Sequence, residues 1–83
     1  MGLYPNPVVD KALINVYMPD ANDVSVEVYS ATGQLVYTQD KGYLSAGSQK
    51  INWMVNDNVE PGVYYLNVKV GDVNKMEKII IAN

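Results

Sequence analysis

The chain is predicted to fold as an all-β, immunoglobulin-like antiparallel β-sandwich of about seven strands. Three observations carry that expectation. Apolar and polar residues alternate at period two in one segment after another. Valine and isoleucine are abundant beside seven tyrosines, side chains that suit a pleated, half-buried surface. Turn signals recur roughly every 8–12 residues, a sandwich spacing with no helical segments between them. No repeat or linker divides the 83 residues, so they read as one domain, 1–83. A domain this small buries only about 60% of the surface its unfolded chain exposes, and its stability margin is thin.

The elements follow in order. A first strand is expected around Leu3–Val8, broken by Pro5 and Pro7 and therefore at a sheet edge. Ala12, Ile14, Val16 and Met18 then share one face, with Leu13, Asn15 and Tyr17 on the other. Pro19–Asp23 is a polar turn, after which Val24, Val26 and Val28 oppose Ser25, Glu27 and Tyr29. Ala31-Thr32-Gly33-Gln34 is tight, with Gly33 suited to a positive φ. Leu35-Val36-Tyr37 reads as a short strand. Ala46-Gly47-Ser48 turns the chain into Gln49, Ile51 and Trp53, which share a parity that assigns Trp53 to the core. Glu60-Pro61-Gly62 suggests a type II turn with Gly62 at its second central position. Tyr64, Leu66, Val68 and Val70 follow on the inward parity, against Val63, Tyr65, Asn67 and Lys69. Gly71–Asn74 closes a final hairpin, and Met76–Ile81 is the last strand. Alternation cannot bury Ile79, Ile80 and Ile81 together, so Ile80 is expected outward with Lys78 and Met76, on a pairing edge.

Composition excludes several functions. Cysteine, histidine and arginine are absent, so no Ser/His/Asp or Cys/His set can be assembled. The carboxylates are scattered over turns and outward faces rather than paired, which argues against acid–base catalysis. No enzyme activity and no cofactor are expected. The net charge of −3 disfavours nucleic acid and anionic membrane surfaces alike. No apolar run approaches the roughly 20 residues of a membrane-spanning helix. Asp20, Asn22 and Asp23, like Asn56, Asp57 and Asn58, read as solvated turns rather than a calcium loop. Met1-Gly2 reads as a start added ahead of the domain, with the parent protein continuing upstream.

Two motifs stand at opposite ends. Tyr4-Pro5-Asn6-Pro7 fixes two φ angles and removes two backbone donors, a device that stops pairing at a sheet edge. Gly62-x-Tyr64-x-Leu66 joins a turn to a core strand, and Lys78-Ile79-Ile80-Ile81 follows near the end. Together and in this order, from Leu3 to Ala82, they resemble the type A C-terminal sorting domain of proteins exported by the type IX secretion system (Por secretion system) of Bacteroidetes-type bacteria. One departure is Ser30, which stands where the family often has Asp in the turn before Gly33. The resemblance implies a non-catalytic address label at the C-terminus of a larger passenger. It further implies export through the periplasm to the cell surface or medium. The partners implied are the outer-membrane type IX translocon and a surface sortase-like peptidase, with the passenger then released or anchored. Recognition would rest on Tyr4, Pro5, Asn6 and Pro7, and on Gly62, Tyr64, Lys78, Ile79, Ile80 and Ile81. The rival is a fibronectin-like or Ig-like spacer, or a carbohydrate-binding module of a secreted enzyme or adhesin. Tyr29 and Tyr65, both outward on strands that would be neighbours, would then form its exposed aromatic patch.

Overall fold

The computed structural model describes residues 1–56 and 59–82. Its strands are β1 (Gly2–Tyr4), β2 (Lys11–Met18), β3 (Asn22–Ser30), β4 (Leu35–Leu44), β5 (Gly47–Met54), β6 (Gly62–Val70) and β7 (Val73–Ile81). They form two sheets, ordered β1-β2-β5 and β4-β3-β6-β7, with every neighbouring pair antiparallel. The all-β sandwich expected from alternation is the fold observed. In constant-type immunoglobulin domains the fourth strand pairs in the opposite sheet. Here the tight Ala31–Gln34 connection folds β4 straight back onto β3.

The core is the sum of the inward parities. Ala12, Ile14, Val16 and Met18 from β2 and Ile51 and Trp53 from β5 meet Val24, Val26 and Val28 from β3 and Leu66 and Val68 from β6. Trp53 packs at its centre, 5.8 Å from the Tyr37 ring. Its Nε1 has no hydrogen-bond partner among the described residues, and an indole N–H left unpaired costs about 1–3 kcal/mol. Burying a ring of that size gains about 4–6 kcal/mol at ~25 cal/mol per Å2, so the core placement wins.

Two elements differ most from the sequence expectation, and β7 also starts earlier than expected, at Val73 inside the anticipated Gly71–Asn74 turn. The first strand is not one segment: β1 ends at Tyr4 in the three-stranded sheet, and Val8 then bridges Ile81, in parallel, in the other sheet. Pro5 and Pro7, each preceded by a cis peptide bond, lie between the two pairings and can donate to neither. The second difference is β4, which runs for ten residues rather than a short three. Its register shifts twice, between Val24 and Ser25 and between Val28 and Tyr29 of its partner. The shifts break the alternation from which a strand is read, and they bring both Val36 and Tyr37 against the core. At the first of them Gly42 has φ 72°, and its N–H donates to Asp40 Oδ1 at 2.9 Å.

The tight turns obey their chemistry. Gly33 has φ 91°, and its N–H donates to the Ser30 carbonyl at 2.9 Å. Ser30 Oγ accepts from Gln34 N–H at 3.1 Å, so the serine keeps a hydrogen bond to the turn backbone. In the last hairpin Gly71 (φ 58°) and Asp72 join Val70 to Val73. A positive φ at the first position alone is the type II′ pattern. A Cβ on Gly71 would also lie 2.5 Å from Asn22 Nδ2, so a larger residue would have to displace that side chain as well as adopt the positive φ.

Candidate functional site

The two ends of the chain meet. Val8 N–H donates to the Ile80 carbonyl at 2.8 Å, and Ala82 N–H donates to the Val8 carbonyl at 2.7 Å. Ile80 N–H donates to Asn6 Oδ1 at 3.1 Å. The asparagine side chain therefore supplies the acceptor that continues the ladder where the prolines interrupt it. Tyr4, Pro5, Asn6 and Pro7 are all exposed. Nothing in the spacing announces this contact, because Asn6 and Ile80 stand 74 residues apart.

Around this contact β7 presents two faces. Ile79 and Ile81 are fully buried, while Ile80 is 44% exposed, on the same face as Lys78 and Met76. Ile80 pairs with Val63, Ile81 with Gly62, and Ile79 with Tyr64. Gly62–Tyr64, Asn6–Val8 and Ile79–Ile81 are thus three adjacent strips at one end of the sandwich.

Tyr64 explains why a tyrosine stands there. Its ring is buried, and its hydroxyl donates to the Glu60 carbonyl at 2.5 Å. This is the tyrosine corner of immunoglobulin-like sandwiches, in which a tyrosine near the start of the sixth strand ties down the loop before it. Alternation reveals only that Tyr64 points inward; the hydroxyl four residues after its acceptor is the signal that would have identified the corner. Gly62 departs from the expected type II turn. Its φ is 153°, far from the roughly +80° of that turn's second central residue. The Tyr64 hydroxyl holds the corner, so Gly62 already extends into β6, in a positive-φ region that is essentially glycine's. A Cβ there would meet nothing within 4 Å, so the requirement is one of conformation and not of space.

Tyr29 and Tyr65 lie directly opposite each other on β3 and β6, both half-buried on the outer face. Loss of solvation, followed by the neighbouring Glu27 carboxylate, raises the Tyr29 phenol above its ordinary value. Next along, Asn67 is buried, with its Nδ2 donating to Glu27 Oε1 at 3.3 Å and Asn74 Oδ1 at 3.2 Å. Its Oδ1 has no partner among the described residues. The aromatic pair therefore adjoins a polar cluster on one side. On the other it adjoins Lys78, the cross-strand partner of Tyr65. Among the described residues no group of three or more His, Cys, Asp or Glu could hold a metal ion. Asp57 and Asn58 lie outside the described residues. No helix is long and apolar enough to cross a membrane, among the described residues.

The fold is a small antiparallel sandwich whose two terminal motifs meet at one end. A comparison with protein families gives its family. The chain matches the secretion system C-terminal sorting domain over residues 2–82 and belongs to that family. It is thus a type IX sorting signal, which implies a passenger on its N-terminal side, the type IX machinery as its reader, and secretion across the outer membrane. A comparison with curated proteins gave no match.

Proposed function

We propose that the type IX translocon reads this domain at the end where Asn6–Val8 meets Ile79–Ile81. The contact would extend along the outer face from Ile80 and Val63 toward the Tyr65–Tyr29 pair. The observation that carries this reading is Ile80: an exposed isoleucine between two buried ones, on the strip that joins the family's two terminal motifs. An exposed apolar residue flanked by exposed Val63 and Lys78 fits a docking surface with an apolar centre and a polar rim. Tyr64 and Gly62 act indirectly in this reading, by fixing the corner against which Ile81 packs. The domain itself performs no chemistry. It crosses the periplasm with its passenger, and a surface sortase-like peptidase then removes it so that the passenger is released or anchored.

Fusion of residues 1–83 to the C-terminus of an unrelated periplasm-targeted protein tests the reading in a host with the type IX machinery. The fusion is expected at the cell surface or in the medium. Retention in the periplasm, while a native cargo of the same host is exported, refutes it.

A further inference from the structure

β7 is an edge strand that is covered only at its end. Ile80 turns both its N–H and its C=O away from β6, toward Asn6 and Val8. The register of β7 on β6 runs without a shift from Val73 to Ile81. By the two-residue period of a strand, Asn74, Met76 and Lys78 turn their backbone groups to that same side. No strand pairs with them among the described residues. The other edges are less suited to pairing. β4 is broken by two register shifts, and β1 is three residues long. β5 exposes Ser48, Lys50 and Asn52, with no apolar side chain in that row before Met54.

We propose that a second copy of this chain pairs antiparallel with the free edge of β7, about a two-fold axis at Met76. The uncovered backbone groups fix the register. They belong to Asn74, Met76 and Lys78, and only a pairing centred on Met76 uses all of them in both copies. Met76, 62% exposed in the monomer, then faces its own counterpart, and Asn74 faces Lys78 of the second copy. Between these hydrogen-bonded pairs lie the non-hydrogen-bonded positions, where side chains approach most closely. There Lys75 lies across from Glu77 of the second copy, and Glu77 lies across from its Lys75.

Opposite charges directly across a ladder stabilise it, and like charges oppose it. Lys75 and Glu77 share the inward parity of Ile79 and Ile81 and are half-buried. Inward-pointing charges are a common means by which an edge rejects other strands. An arbitrary strand would leave both without a counter-charge, whereas a second copy supplies both. The same two residues therefore repel general pairing and admit self-pairing, which is specificity by exclusion. The arrangement is isologous and closes at two copies.

Sedimentation equilibrium of the 83-residue chain up to about 1 mM covers the range of a small edge contact. The mass is expected to rise from 9.2 kDa toward twice that value with concentration. Lys75→Glu and Glu77→Lys, each verified as folded by its melting curve, are each expected to stay monomeric at every concentration. An equimolar mixture of the two is expected to dimerise, because each then supplies the charge that the other lacks. Amide exchange of the parent chain gives a readout without substitutions: protection should grow with concentration at Asn74, Met76 and Lys78. A parent chain that stays monomeric throughout overturns the proposal. So do single variants that dimerise like the parent, a mixture that stays monomeric, or exchange at those amides that ignores concentration.

Discussion

Replacing Tyr64 with phenylalanine removes one oxygen and leaves the buried ring in place, so it isolates the hydroxyl's contribution. That hydroxyl donates to the Glu60 carbonyl at 2.5 Å and closes the corner that leads into β6. A single neutral hydrogen bond contributes about 1 kcal/mol net, and a partly buried acceptor left unpaired raises the loss to about 1–2 kcal/mol. For a domain of this size the total stability is about 4–12 kcal/mol, so the loss is a substantial fraction. At roughly 4–8 °C per kcal/mol, Tyr64→Phe should lower the melting temperature by about 5–15 °C. The assay is thermal unfolding followed by circular dichroism, with Tyr65→Phe as the control. Tyr65 is the next residue but faces outward, and losing its hydroxyl should change stability by about 0.5 kcal/mol or less. If Tyr64→Phe melts within about 2 °C of the parent, or no lower than Tyr65→Phe, the hydroxyl does not hold the corner.

Gly62→Val is expected to destabilise the domain by about 1–3 kcal/mol, because a β-branched residue resists the φ of 153° although a Cβ has room; unchanged urea unfolding would contradict this. Ile80→Lys should cost about 1 kcal/mol at most, since the residue is 44% exposed and the lysine stem can cover the same surface. The same variant should export a fused passenger poorly in the surface-display assay. Export at the parental rate from a normally melting variant would remove Ile80 from the recognition surface.

Period two made β2, β3, β6 and the end of β7 legible, because each buries one face over a regular run. The exposure of Ile80 between two buried isoleucines follows from that rule alone. β4 was legible only at its start, since its shifts bring Val36 and Tyr37 inward together and the polar run Thr38–Lys41 with Gly42 separates them from Tyr43 and Leu44. Gly62 illustrates a different limit: Pro-Gly signals a turn, but the turn's geometry is set by a hydroxyl elsewhere. The junction of Asn6 with Ile80 lay beyond any local pattern. It is a tertiary contact made by a side chain that, in sequence, only separates two prolines.

The long reach of that junction has a consequence for timing. Contacts between remote parts of a chain carry a larger loop-closure entropy than local ones, and they slow folding accordingly. Asn6 and Val8 are made early and must wait for Ile80 and Ala82, among the last residues described, before their ladder can close. A chain cut short anywhere before β7 would leave Val8 without its parallel partner and β6 with one bare side. The finished sandwich therefore certifies that its own coding has been read through to β7. A reader that grips the closed junction would pass over an interrupted chain without any separate inspection.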